Sequence, residues 1–169
     1  MTQPRLRFVR GHDTLSELIA AREGFEARPF TPSHVECVIA GGYYLGAHMD
    51  GGVAIREPGY DKSWLQSDVL VDLPATPEQA AAFDAYVRAK IGAPYDWKAV
   101  LGFLVPGDLH GPGDYICSAM MTGAARLTGA LPFPLCVPYH AVSPLMLMAM
   151  VGAVVPIPGA IDFEARRPS

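Results

Sequence analysis

Cysteine is scarce in this sequence, and its spacing excludes two common structural uses. The 169 residues include three cysteines, Cys37, Cys117 and Cys136, and none belongs to a C-x-x-C pair. Structural zinc sites are usually built from such pairs, and disulfide frameworks need an even number of cysteines. We therefore expect free thiols in a reducing compartment, and neither a disulfide scaffold nor a zinc site.

Long apolar segments are also missing. The N-terminal stretch MTQPRLRFVRGHD contains basic residues without an apolar segment behind them, so it lacks the form of a secretory signal. The longest apolar run, residues 141–160, is interrupted by Pro144, Pro156 and Pro158 and is too short to span a bilayer. These patterns predict no integral membrane segment and a cytoplasmic location.

The chain has no excess of positive charge. Its formal net charge is −4 and its pI is near 5.7, whereas a surface that binds nucleic acid needs clustered Lys and Arg. Nucleic acid is therefore excluded as an expected partner. Half of the residues are hydrophobic and 18% are charged, which favours a globular chain with a substantial core. The length predicts one domain over residues 1–169.

Strand and helix patterns follow one another without an internal repeat. Thr76 and Pro77, with Gln79 two residues on, have the form of a helix start and predict a helix to about Ile91. The other predicted helices cover 14–22, with Thr14 and Glu17 as a capping box, 117–128, and the segment after Ser143. Strands are predicted at 34–39, 43–49, 51–57 and 67–73. Grouped strands with packed helices favour an α+β fold around an antiparallel sheet.

The first predicted hairpin begins with a histidine. In HVECVI, His34 and Glu36 share the face opposite Val35, Cys37 and Ile39. An imidazole at the open end of a strand, on the face away from the apolar residues, is well placed to act as a general base in a cleft. His34 is therefore the candidate base.

Two turn lengths are compatible with this hairpin. A two-residue turn at 41–42 places His34 opposite Met49, whereas a three-residue turn at 40–42 places it opposite His48. The sequence leaves both registers open.

A cysteine opens the second long helix. In DYICSAMM, Cys117 lies in the first helical turn, where free N–H groups and the helix dipole stabilise a thiolate. The same N–H groups point to the position of the oxyanion that forms when a carbonyl is attacked. Cys117 is therefore the candidate nucleophile. Cys37 lies on the core face of its strand, and Cys136 lies in a proline-rich loop away from any helix start.

Other histidines compete with His34 for the role of base. His140, in VPYHAVSP, follows Cys117 in the chain and shortly precedes a helix, so it is the main rival. His12 and His110 lie in loops beside Gly and Asp and are expected to be solvated.

Two motifs resemble those of a family of cysteine hydrolases. GAPYDWKAVLGF followed by YICSAMM is similar to the part of NlpC-type cell-wall peptidases in which Pro-Tyr-x-Trp precedes a Cys-Ser helix start. In those enzymes the His-Val strand follows the cysteine, whereas here HVECVIAGG precedes it. This order resembles the circularly permuted papain-like amidases of the YiiX type, over roughly residues 30–150. The sequence departs from them at Ala119, where they commonly have glutamate.

The resemblance implies a single-domain, circularly permuted papain-like fold in which Cys117 and His34 form a catalytic dyad. A third group in such sites orients the imidazole, and a carboxylate beside the ring favours the imidazolium. Tyr95 matches a tyrosine that lines the NlpC-type site and is the predicted substrate-binding residue, with a core aromatic as the alternative. The candidates for the third group are, in order of preference, Glu36, His48 and Asp50.

The predicted activity is that of a cysteine amidase or peptidase that works through an acyl-enzyme and needs neither a metal nor an organic cofactor. NlpC-type relatives cut cell-wall peptides and other permuted members act on lipid acyl groups, so the expected partner is a peptide-like or acyl substrate. The alternatives are a lipid acyl hydrolase or transferase, a non-catalytic papain-like binding or phage-related assembly module, and an inert domain with a buried cysteine. No oligomeric state is predicted.

Overall fold

The chain folds around a five-stranded antiparallel sheet with helices packed on it, so the α+β prediction is confirmed. The computed structural model describes residues 3–22, 30–98, 115–127, 129–131 and 137–157. Its strands are β1 Arg5–Gly11, β2 His34–Val38, β3 Tyr44–His48, β4 Gly52–Arg56 and β5 Leu65–Asp72. Its α-helices are α1 Thr14–Arg22, α2 Pro77–Arg88, α3 Cys117–Leu127 and α4 Pro144–Gly152, with 3-10 turns at Ala40–Gly42 and Tyr139–Ala141.

Strand β1 is the one element of the sheet that the sequence patterns did not predict. The strand order is β4-β3-β2-β1-β5, so β1 lies between β2 and β5 and pairs with both. Leu6 is opposite Cys37 on one side and Val71 on the other. Arginine alternates with Leu6 and Phe8, which is the pattern of a strand. The alternation ends at Val9, an apolar residue that is buried on the same face as Arg7.

The apolar core lies between one face of the sheet and the helices. Leu6, Phe8, Val35 and Leu45 are fully buried there. The helices contribute Phe83 and Val87 from α2, Met120, Met121 and Ala124 from α3, and Leu147 and Val151 from α4. Residues 117–125 of α3 are all buried, so about the first two and a half turns of this helix are enclosed by the rest of the fold. The helix packs against β2.

Two helix starts follow the predicted local chemistry. Thr76 and Gln79 form a complete capping box at α2, and the Ser143 hydroxyl accepts a hydrogen bond from the Met146 N–H at α4. The capping box predicted at Thr14 was wrong. Asp13 caps α1 instead, since its carboxylate accepts hydrogen bonds from the backbone N–H and the hydroxyl of Ser16.

The other face of the sheet buries charge rather than apolar groups. Arg7 of β1 and Glu36 of β2 are opposite each other on this face and are 2% and 0% exposed. The connection between β4 and β5 covers them, because Tyr60 contacts Glu36 and Asp61 contacts Arg7. These four residues, together with His34 and His48, form a buried polar cluster between the sheet and this connection. None of the helices in the described ranges is long and apolar enough to cross a membrane.

Candidate active site

Cys117 is the first residue of α3 and its thiol lies against β2. The Ile116 carbonyl accepts the first helical hydrogen bond, from the Met120 N–H, so Cys117 is in the first turn as predicted. Its sulfur accepts hydrogen bonds from the backbone N–H groups of Val35 and Ser118. These contacts stabilise the thiolate in a position that is only 5% exposed.

His34 and Cys117, which are 83 positions apart in the sequence, are brought into contact. Burial favours the neutral imidazole, but the charge and hydrogen bond of Cys117 and the charge of Glu36 outweigh it and raise the pKa of His34 to about 10. Burial likewise opposes ionisation of Cys117, yet the charge and hydrogen bond of His34 lower the pKa of the thiol. These two shifts favour a thiolate–imidazolium pair over two neutral groups.

The geometry of the imidazole assigns its two nitrogens. Nε2 of His34 points towards Glu36 Oε2 at 3.8 Å, which is too long for a hydrogen bond. Among the described residues this nitrogen has no hydrogen-bond partner. The bond to the Cys117 sulfur is therefore made by Nδ1.

Cys37 shows the opposite electrostatics. It is buried in β2, and its thiol donates a hydrogen bond to the Leu45 carbonyl. Burial, together with the charges of Glu36 and Asp84, raises its pKa to about 12. A groove of about 930 Å³ between α2 and the sheet has Cys37 in its wall, but it lies at the far end of β2 from His34. Cys37 is thus a protonated core residue, and Cys136 lies outside the described residues.

Glu36 is held by a guanidinium rather than exposed in a cleft. Arg7 Nη1 lies 2.9 Å from Glu36 Oε1, and the Tyr60 hydroxyl donates to Oε2 at 2.9 Å. Burial would raise the pKa of this carboxyl, but the charge of His34 and the hydrogen bond with His48 hold it well below its usual range. Glu36 is therefore a fixed negative charge beside the imidazole.

The register of the hairpin places His48 beside His34. Cys37 pairs with Leu45 and Val38 with Tyr44, so the turn has three residues and the alternative that juxtaposes the two histidines is the correct one. Their ring centroids are 4.2 Å apart. Burial and the charge of His34 lower the pKa of His48 to about 4. Only one ring of the pair is charged at neutral pH, and it is His34.

The remaining predicted site residues are Asp50 and Tyr95. Asp50 is in the turn after β3 with its side chain 92% exposed, 3.7 Å from Arg56, so it is not part of the buried cluster. Tyr95 forms a parallel bridge with Tyr115, just before α3. Burial and the nearby Cys117 charge raise its pKa, so its hydroxyl remains protonated beside the sulfur.

The rival histidines do not provide the effects that lower the pKa of Cys117. His140 lies in the 3-10 turn Tyr139–Ala141, which packs against α3, whereas the groups that lower this pKa are His34, Val35 and Ser118. His12 is exposed at the end of β1, and His110 lies outside the described residues.

Three residues of the polar cluster were not predicted from the sequence: Arg7, Tyr60 and Asp61. Arg7 Nη1 also contacts Asp61 at 2.6 Å, and its Nε contacts Asp68 at 2.6 Å. An arginine inside an apolar alternation, as in RLRFVR, is the only local indication that a charge is buried there.

Gly46 makes room for this cluster, and its replacement tests the packing. A Cβ at Gly46 would lie 2.8 Å from Glu36 Cβ, which is fixed to the backbone of β2. We expect Gly46→Ala to lower the free energy of unfolding by about 1–3 kcal/mol, measured by urea denaturation. Gly123→Ala is the control, because its Cβ would meet the movable hydroxyl end of Tyr86 and alanine favours a helix. An equal loss in both variants would contradict this account.

Three donor atoms in the cluster could also hold a metal ion. The side-chain donors of His34, Glu36 and His48 all lie within 4.8 Å of one another.

No protein-family model matches the sequence, and no curated protein matches it either. The support for a function of this protein is therefore the geometry of Cys117, His34 and the residues around them.

Proposed function

We propose that this protein is a cysteine hydrolase in which Cys117 is the nucleophile and His34 the base. The observation that supports it most directly is the difference between two buried thiols of one chain. The pKa of Cys117 is lowered by a contacting imidazole, while the pKa of Cys37 is raised to about 12. A thiolate held at a helix start is the activated form of a nucleophile.

The proposed chemistry is acyl transfer from an amide or ester. The Cys117 thiolate attacks the carbonyl carbon, and N–H groups in the first turn of α3 stabilise the oxyanion. The His34 imidazolium then protonates the leaving group, and the neutral ring takes a proton from the water that hydrolyses the acyl-enzyme. Glu36 stabilises the imidazolium that carries this proton.

We further propose that the fold is a circularly permuted papain-like one. The support is the order of the elements: the histidine strand β2 precedes helix α3 in the chain, and the two pack side by side. Substrates of this class are peptide amides or lipid acyl groups, and Tyr95 beside the sulfur is the proposed contact to the substrate.

Alkylation tests the nucleophile directly. We expect iodoacetamide at pH 6 to modify Cys117 much faster than Cys37 or Cys136, because a free thiol with a pKa of roughly 8.5 is almost fully protonated there. Peptide mapping by mass spectrometry, with time points taken from the full-length protein, measures the three rates separately.

The same experiment distinguishes the non-catalytic alternatives. Guanidine-unfolded protein provides the control, in which the three cysteines should react at similar rates. Slow or equal labelling of Cys117 in the folded protein would show that its thiol is inert, and would favour a binding or assembly module.

A further inference from the structure

Four polar atoms of the buried cluster converge on one point. Glu36 Oε2 lies 3.8 Å from His34 Nε2, 3.3 Å from His48 Nε2 and 2.9 Å from the Tyr60 hydroxyl. The Tyr60 hydroxyl is also 3.2 Å from His48 Nε2. The Nε2 atom of His34 is buried, is aimed at this point, and has no hydrogen-bond partner among the described residues.

These separations match the edges of a tetrahedral metal site. Zinc–ligand distances of about 2.0–2.1 Å place neighbouring donor atoms about 3.3–3.4 Å apart. Four of the six separations are 2.9 to 3.8 Å and bracket that value, and the donor atoms of His34, Glu36 and His48 all lie within 4.8 Å of one another, so rotation of the side chains can bring the four atoms around an ion. Two imidazoles with one carboxylate suit zinc and neighbouring transition metals rather than magnesium or calcium.

The surrounding charge also favours a divalent cation. Glu36, Asp61 and Asp68 contact a single guanidinium, that of Arg7, and this group of four has a formal charge of −2. Arg56 is the next guanidinium, 5.7 Å from the centre of the Tyr60 ring, and it pairs with Asp50 at 3.7 Å. The His34 imidazolium, 3.8 Å from Glu36, offsets one of the two negative charges, and a divalent ion in place of its proton would offset both.

We propose that His34, Glu36 and His48 form a binding site for a zinc-like divalent ion, with the Tyr60 hydroxyl at the fourth corner. The ion binds His34 through Nε2 and releases the proton of that nitrogen to solvent, while Nδ1 keeps its proton and its hydrogen bond to the Cys117 sulfur. With both ring nitrogens occupied, His34 cannot accept a proton from the water that hydrolyses the acyl-enzyme. The site is therefore an inhibitory one, and this last step rests on the proposed hydrolase function.

Metal binding is tested on the full-length protein after treatment with a chelator. Zinc is added at pH 7.5 in competition with a chromogenic chelator, and we expect one ion per chain. His48→Gln should weaken binding at least about tenfold, because it removes one ligand. His34→Gln provides a second test if His48→Gln does not fold, as judged by circular dichroism. His12→Gln, which replaces an exposed histidine, is the matched control and should bind as the unmodified chain does.

Cys117→Ala tests whether the Cys117 sulfur is a ligand of the ion. We expect this variant to bind zinc normally, and cobalt substituted for zinc to show no sulfur-to-metal charge-transfer band. Absence of binding, unchanged binding in a folded His48→Gln or His34→Gln, or loss of binding in Cys117→Ala would each overturn the proposal.

The lifetime of an acyl-enzyme tests the inhibitory step. p-Nitrophenyl acetate is used to acetylate Cys117, and mass spectrometry of the intact protein follows the loss of the acetyl group. Zinc should lengthen this lifetime in the unmodified chain and have much less effect in His48→Gln, each compared with the same protein without zinc. An unchanged lifetime with zinc bound would overturn inhibition. If zinc binds as expected but Cys117 labels no faster than Cys37 without it, the hydrolase proposal fails while the metal site stands.

Discussion

Replacing His34 with alanine should reduce the alkylation rate of Cys117 at pH 6 by about a hundredfold. The charge and hydrogen bond of this imidazole are what lower the pKa of the thiol against the effect of burial. Without them the thiol should return to a pKa of roughly 8.5 or above, where less than about 1% is ionised at pH 6. Mass-spectrometric mapping of each cysteine measures the change.

His140→Ala is the matched control, since it removes the other histidine predicted as a base. We expect it to leave the alkylation of Cys117 largely unchanged, because His140 lies in the 3-10 turn Tyr139–Ala141 and His34 makes the contact to the sulfur. If His140→Ala suppressed labelling and His34→Ala did not, the assignment of the base, and with it the permuted order, would be wrong.

Arg7→Met should cause the largest loss of stability among single substitutions in the polar cluster. The Arg7 side chain is 2% exposed and neutralises Glu36 and Asp61, which are 0% and 1% exposed. Methionine fills a similar volume but leaves Asp61 buried without a cation and Glu36 with only the His34 imidazolium at 3.8 Å. Removing one partner of a buried ion pair typically reduces the free energy of unfolding by about 3–5 kcal/mol.

Arg5→Met on the same strand is the control for Arg7→Met. Arg5 pairs with Asp72 at 2.7 Å, but the two side chains are 47% and 44% exposed, and surface pairs of this kind contribute little to stability because water screens them. Urea denaturation of both variants gives the comparison. Similar stability losses at the two positions would show that the buried cluster does not depend on its arginine.

Features determined by neighbouring residues were predictable from the sequence. The start of α2 depends on Thr76, Pro77 and Gln79, which are within one helical turn, and the start of α4 depends on Ser143 and Pro144. The placement of Cys117 in the first turn of α3 has the same origin. Alternation alone likewise placed Glu36 and His34 on one face of β2.

Features determined by distant residues were not predictable. Arg7 meets Glu36 and Asp68, which are 29 and 61 positions away, and no local pattern indicates either pairing. The turn at Ala40–Gly42 illustrates a second reason. Both turn lengths were compatible with the glycines, and the choice between them depends on how β3 packs against the rest of the sheet.

The placement of β1 has a consequence for the order of folding. This strand is the first to leave the ribosome, yet one of its two partners, β5, ends at Asp72, opposite Arg5. Loops that join distant strands are closed at an entropic cost, and topologies that depend on them fold slowly. During translation the hairpins β2–β3 and β3–β4 can form between nearby segments, whereas β1 cannot pair on both sides until β5 has been made. Arg7 therefore gains its last carboxylate partner, Asp68 of β5, only at this late step, and until then β1 has an unpaired edge.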